Sequence, residues 1–411
     1  MTLQVFVPAA VYGLGQGAAA PIFALKALEL GASAAIAGVI VALSGLGMVL
    51  GDLPAGRTVA RIGERWSVAI GSVLGAVGVV LCICAWNVAV LGLGMLLMGV
   101  ANAVWGLARQ SYVVSSVRQA DLGRALSTMA GSMRLGFFVG PFIGAVVVHW
   151  SGLTGGLWVQ LVATLVAGAL MVSLPDRGPP ASSDRVGRSL TSVLVEHRKL
   201  LSTLGSGALL MGAARASRTA LLPLWAAHIG MSAAATSVIF GISGAVDVLL
   251  SYPAGVLMDR YGRRAIAVPS MVFFAVGYAA LPLSSNAIAV GAVAVSLGVA
   301  NGLSNGVIMT IGADSAPPGH RAEFLGAWRL THDIGMFTGP IVVGVISGVA
   351  VLGAAAVALG ALSGLGAAAM HRWVREVKDA GLLSDSGSNP TSSAGGQRGS
   401  DGLQSGLGAV V

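Results

Sequence analysis

Long stretches without charge constrain this chain more than any other feature. Twelve times it runs for ~20 mainly apolar residues, the length a helix needs to cross the hydrocarbon of a bilayer. The runs fall near residues 5–27, 34–56, 67–86, 89–115, 124–148, 152–173, 201–227, 233–257, 265–284, 287–313, 323–348 and 350–370. Hydrocarbon offers no hydrogen bonds, so each run must satisfy its backbone internally, as a helix. Only 10% of the 411 residues are charged, against roughly 25% in a soluble domain, so the chain cannot cover itself with a water-facing surface. The reading is an all-α integral membrane protein of twelve transmembrane helices. Its 60 glycines suit that reading, because small residues let helices approach closely where no hydrophobic drive joins them.

The net charge of +8 does not point to nucleic acid, because the charges sit in short clusters between apolar runs. With the N-terminus inside, Arg57, Arg61, Arg65, Arg118, Arg124, Arg185, Arg198, Arg260, Arg263, Arg264, Arg321, Arg372 and their neighbours fall on one side. Lys26 falls alone on the other. Cytoplasmic loops keep the positive charge, so a multi-pass protein of the plasma (inner) membrane with both termini cytoplasmic is expected. Trp66, Trp86, Trp150 and Trp225 stand near span ends as interfacial anchors. The opening MTLQVFVPAA lacks a basic segment and a cleavage site, so the first run reads as a retained helix. Cys82 and Cys84 lie in an apolar run and read as packing residues. No cofactor and no metal are expected.

Sliding the chain by 199 residues exposes an internal repeat. Gly31 and Ser33 meet Gly230 and Ser232, Ser44-Gly45 meets Ser243-Gly244, and Pro54-Ala55-Gly56 meets Pro253-Ala254-Gly255. Arg61, Gly63 and Arg65 meet Arg260, Gly262 and Arg264. Gly99, Val100 and Asn102 meet Gly298, Val299 and Asn301, and Gly136, Gly140 and Pro141 meet Gly335, Gly339 and Pro340. Two parallel six-helix repeats form a transporter architecture, in which two similar bundles rock about a central site. The expected organisation is two pseudo-symmetric bundles, residues 1–173 and 201–371. A cytoplasmic linker, 174–200, joins them, and a largely disordered tail, 372–411, follows. Residues 371–383 read as a short amphipathic helix on the inner leaflet.

These residues resemble the major facilitator superfamily up to about residue 375. The family's loop motif between helices 2 and 3, G-x-L-x-D-R-x-G-R-R/K, is complete in the second half at Gly255, Leu257, Asp259, Arg260, Gly262, Arg263 and Arg264. The first half keeps Gly56, Arg61, Gly63 and Arg65 but has Thr58, Ala60 and Glu64 where the family has Leu, Asp and Arg. The resemblance implies a gating role for this loop through a latch against helix 11, with Glu64 the candidate to replace the missing aspartate. Gly136, Gly140, Pro141 and Gly144 resemble the helix-5 signature of drug:proton antiporters, with Ala145 and Ser127 departing from it. Small residues and a proline there would shape the interface between halves. Helix 11 repeats the pattern at Gly335, Gly339, Pro340 and Gly344, as general fold symmetry would also produce.

Ionisable residues inside spans are functional candidates because they are costly unless paired or wet. Here they are Asp52, Arg109, Arg134, Arg215, Arg218, Asp247, Arg329 and Asp333. The resemblance implies that helices 2 and 11, and 5 and 8, face each other across the halves. That would set Asp52 against Arg329 or Asp333, and Arg134 against Asp247, either as proton-released couplings or as static ion pairs. Arg329 and Asp333 are also four apart and can pair on one helix. Arg215 and Arg218 share a face of helix 7 and suggest an anionic substrate, or else bind carbonyls or Asp247. The resemblance further implies that helices 1, 4, 7 and 10 line the cavity. That makes Tyr12, Gln16, Asn102, Trp105, Asn301 and Asn305 candidate substrate contacts.

No HExxH, nucleophile elbow or phosphate loop argues for an enzyme or a primary pump. The expected function is secondary active transport: proton-coupled export of a drug-like compound or metabolite, alternatively proton-coupled uptake of a small nutrient such as a sugar or organic acid. Its partners are then a small-molecule substrate, protons and membrane lipid.

Overall fold

Apolar runs separated by caps and glycine turns fix the element order. The computed structural model describes residues 2–118, 121–173, 198–316 and 321–374. Span 1 is two helices, Thr2–Ala19 and Ile22–Glu29, broken ahead of Pro21, whose ring cannot continue a helix interior. Spans 2 and 3 fall within Ala34–Ile83 as two helices that meet at a kink at Gly63, whose φ of 77° and ψ of 170° are non-helical. Spans 4, 5 and 6 are Val88–Ser116, Leu122–Ser151 and Gly155–Val172. Spans 7, 8 and 9 are Arg198–His228, Ala233–Tyr261 and Arg264–Ala280, the last prolonged by a 3₁₀ turn, Leu281–Leu283. Span 10 is Ala287–Ser304 and Val307–Ser315, divided at Gly306, where φ is 82°. Spans 11 and 12 are Arg321–Val349 and Leu352–Trp373.

Eleven of these spans are long and apolar enough to cross a membrane among the described residues. Span 7 falls outside that set although its 31 residues reach about 45 Å; Arg215 and Arg218 lie in its middle. The linker at 174–197 and everything after residue 374 lie outside the described residues. The amphipathic helix expected from residue 371 is corrected in its visible part: His371 and Arg372 close span 12, where cations favour the helix terminus.

The offset of 199 survives into local geometry. Ser33 and Ser232 both cap the second span of their half, their hydroxyls accepting from Ile36 N at 3.4 Å and Ala235 N at 3.2 Å. Asn87 and Asn286, also 199 apart, cap span 4 and span 10, accepting from Val90 N at 2.9 Å and Ala289 N at 3.0 Å. Gly63 and Gly262 both adopt positive φ, 77° and 91°, a region open to glycine at little cost.

Within each half, glycines bring helix backbones together. A Cβ at Gly13 or Gly17 of span 1 would strike the carbonyl oxygens of Met133 and Phe137 in span 5. Gly136 and Gly140 of span 5 face the carbonyls of Ala10 and Leu14 in the same way, and Gly144 faces Ala18. Gly212, Gly335 and Gly339 repeat this between spans 7 and 11. The expectation that the span-5 glycines shape the interface between halves is therefore corrected. They close span 5 onto span 1 inside one half, because the Cβ-free face points there.

Candidate functional site

The spans that meet between the halves enclose a cavity of 510 Å³. Span 1 supplies Gln16, span 4 Asn102 and Arg109, and span 5 Arg134. From the second half come Arg215 and Arg218 of span 7, Asp247 of span 8, and Asn301 and Asn305 of span 10. Nine of the sequence candidates thus share one space. Tyr12 and Trp105 do not line it. They stack behind it with ring centroids 3.9 Å apart, 4% and 1% exposed. The sequence reading missed the apolar wall, which includes Met95, Met98, Met133, Phe137 and Met336. A methionine every few residues reads like any apolar position until neighbouring helices are in place.

Each half contributes a polar network. In the first, the Tyr12 hydroxyl donates to Asn102 Oδ1, which also accepts from Gln16 Nε2 at 2.8 Å. Arg109 lies 4.9 Å over the Trp105 ring and donates Nη1 to Met133 Sδ at 3.1 Å. In the second, the Asp247 carboxylate accepts from Asn301 Nδ2 at 2.5 Å and Asn305 Nδ2 at 2.6 Å. Arg215 donates to Ser304 Oγ at 3.3 Å and to Asn305 Oδ1 at 3.0 Å. Arg218 donates to Ser243 Oγ at 2.9 Å and lies 5.0 Å over the Phe240 ring.

The expected Arg134–Asp247 ion pair is corrected. Both line the cavity, but the asparagines of span 10 occupy the carboxylate. Among the described residues no salt bridge joins Arg109, Arg134, Arg215 or Arg218 to an acid. The other expected meeting does form. Span 2 packs on span 11, and Asp52 has Arg329 and Asp333 as electrostatic neighbours, Asp333 within side-chain hydrogen-bonding reach. Arg329 Nε lies 3.5 Å from Asp333 Oδ2, and His332 Nδ1 lies 3.2 Å from Asp333 Oδ1. These charged groups stand outside the cavity lining, on the seam between halves.

That seam is a wedge. Steps of 7, 11, 14 or 18 residues return a helix to nearly the same face. On span 2, Gly38, Gly45 and Gly56 share such a face; on span 11, Gly326, Phe337 and Gly344 do. A Cβ at Gly38 would lie 2.7 Å from Gly344 N, and one at Gly45 2.8 Å from Phe337 Cα. At Gly56 the first neighbour is Leu107 Cδ2 of its own half at 4.0 Å, and at Gly326 nothing lies within 4 Å. Spans 5 and 8 repeat the pattern. Gly241 would meet the Phe142 ring at 2.8 Å and Gly244 the Phe138 Cα at 3.5 Å, while Gly131 and Gly255 face open space. Both seams are shut at one end and apart at the end carrying the arginine-rich 2–3 and 8–9 turns.

The Major Facilitator Superfamily family model matches the chain twice, over residues 5–214 and 204–398. The chain belongs to the major facilitator superfamily. Like other members of this superfamily, it is a multi-pass membrane protein of the secondary-transport class. It is 21% identical over 343 residues to the MFS-type transporter MJ1560 of Methanocaldococcus jannaschii, covering 81% of this chain and 88% of that one. The fold matches the nucleoside transporter NupG with a TM-score of 0.73 at 16% identity, over 90% and 98% of the two chains. It also matches a D-xylose-proton symporter with a TM-score of 0.69 at 14% identity, over 92% and 98%. At such identities the likeness is one of fold.

The superfamily's loop motif differs between the halves of this member. In the second, Arg263 bridges Asp314 of span 10 at 2.9 Å and Asp259 at 3.5 Å. Arg264 Nη2 lies 2.7 Å from His371 Nδ1, and Arg260 lies 5.3 Å over the Tyr261 ring. In the first half, Glu64 is 4% exposed and accepts from Ser111 Oγ of span 4 at 3.0 Å. In this arrangement, parted at this end, Glu64 is therefore tied to its own half and not to span 11. Arg61 is exposed, and Arg65 Nε is buried without a hydrogen-bond partner.

Proposed function

We propose that this protein is a proton-coupled secondary transporter of the plasma membrane, both termini cytoplasmic, which exports a small solute by alternating access through the 510 Å³ cavity. The observation that carries the coupling is the Asp52–Arg329–Asp333–His332 cluster. It joins one half to the other where the span 2–span 11 seam passes from closed, at Gly45, to open, at Gly56. Asp333 Oδ2 has no hydrogen-bond donor; a proton shared with Asp52 supplies one. With both acids ionised, two negative groups and Arg329 must rearrange, and parting the seam is the rearrangement available. An intramembrane acid that changes partners between states is a proton relay by its chemistry. The groups facing it are Arg329 and His332 on span 11 and Asp52 on span 2.

Uptake by proton symport is the competing direction. The span-5 glycines hold span 5 to span 1 and have counterparts in span 11, so they favour neither. The test is the reconstituted protein in proteoliposomes with an internal pH dye. Solute added to one side should move protons in the wild type. Asp52→Asn and Asp333→Asn should abolish proton movement while solute equilibrates down its own gradient. Proton flux unchanged in both variants overturns the coupling. The sign of the pH change, solute and protons opposed or together, separates export from uptake.

A further inference from the structure

We infer that the cavity is built for an organic anion, a carboxylate on an apolar body, gripped between the halves. The inference rests on the transport reading, since the cavity is the same one. Four guanidinium groups and one carboxylate line it, Arg109, Arg134, Arg215, Arg218 and Asp247, a formal excess of three positive charges. A buried charge is costly unless another compensates it. The partners these arginines do have are neutral: Met133 and the Trp105 ring for Arg109, Ser304 and Asn305 for Arg215, Ser243 and the Phe240 ring for Arg218. Such partners orient a guanidinium and leave its charge standing.

Asp247 is an electrostatic neighbour of Arg134, Arg215 and Arg218 and offsets one charge of the four, but it forms no salt bridge with any of them. Both its oxygens are taken by the amides of Asn301 and Asn305. Nor are the donors used up: Nε of Arg109 and Nε of Arg218 are buried with no hydrogen-bond partner. These two residues are 8% and 4% exposed. A carboxylate accepts from guanidinium groups in a fork geometry, with bonds about twice as strong as neutral ones. It would supply both the missing acceptor and the missing charge. Because Arg109 belongs to the first half and Arg218 to the second, one anion can engage both.

The rest of the wall fixes the other end of the solute. Met95, Met98, Met133, Met336 and Phe137 line the same space, and methionine adapts to irregular apolar shapes. The volume lies within the roughly 300–1,000 Å³ of small-molecule pockets, too large for an inorganic anion alone.

The test is binding to purified protein in nanodiscs, without any proton gradient, read by isothermal calorimetry and thermal shift. Three probes share a ring system: naphthalene-2-carboxylate, its carboxamide and the corresponding methylammonium. The carboxylate should bind about tenfold or more tighter than the amide, and the ammonium weakest. Arg218→Gln should remove that preference, while Arg218→Lys, which keeps the charge, should retain part of it and guards against a folding artefact. Equal affinity for acid and amide, preference for the ammonium, or no binding by any of the three overturns the inference. If the carboxylate binds but proteoliposomes show no coupled proton movement, the coupling fails and the anion site stands. Coupled transport of neutral or cationic solutes alone has the reverse meaning.

Discussion

An aspartate held by two asparagines behaves differently from one left against an arginine. Asp247 takes amide bonds at 2.5 and 2.6 Å from span 10, which an uncharged carboxamide can partly reproduce. Asp247→Asn is therefore expected to keep proton coupling in the proteoliposome assay, in contrast to Asp333→Asn. Loss of coupling there would move the proton site into the cavity. Conformation gives a second residue-scale prediction. Gly262 has φ 91° and ψ 165°, a region essentially confined to glycine where a side chain costs about 1–3 kcal/mol, whereas Gly255 is helical with open space before it. Gly262→Ala should lower the thermal unfolding midpoint in detergent, and Gly255→Ala should hold or raise it. The sequence named the ionisable residues that the structure gathers in the cavity and on the span 2–span 11 seam, because any charge in an apolar run stands out. It did not tell which partner each takes. Arg134 and Asp247 match in expected depth and are opposite in sign, yet span 10 packs directly on span 8 and its Asn301 and Asn305 take the carboxylate.

At the scale of helices, the span 1–span 5 contact is made by backbone touching backbone. Gly136→Leu would drive a side chain into the carbonyl of Ala10, and Gly335→Leu would do the same to Leu209. Overpacking of this kind typically costs about 1–3 kcal/mol. Both variants are expected to reduce the yield of monodisperse protein to a similar extent, measured by size-exclusion chromatography. A loss confined to Gly136 would restore a special role for the span-5 pattern. Helix existence was legible from apolar length, and the halves from the offset of 199. Breaks inside spans were harder to see. Pro21 and Gly306 divide helices in mid-run because composition barely changes across them. Spans 2 and 3 are two helices as the sequence suggested, but they meet at the kink at Gly63 where a longer loop was expected.

For the whole molecule, the two seams between halves are shut toward one face and parted toward the other. The glycines at the shut end, such as Gly38 and Gly241, already touch the opposite half, whereas Gly56, Gly131, Gly255 and Gly326 touch nothing there. In an alternating cycle the open faces must meet while the closed ones part. Gly131→Leu and Gly255→Leu are therefore expected to fold normally, since their side chains enter free space, and to stop turnover. A cysteine introduced at Thr219, on the cavity wall, should then react with a reagent applied from the arginine-rich face only. Labelling from both faces would contradict the wedge.

The glycines that face open space have an energetic meaning. Each weakens its helix by about 0.5–1 kcal/mol relative to alanine, and in this state no close contact offsets that. That cost is common to both arrangements, so passing between them exchanges close contacts at one end of the seams for close contacts at the other. Two arrangements kept nearly degenerate in this way need little to exchange their populations. A solute or a proton with a modest difference in affinity between them is enough.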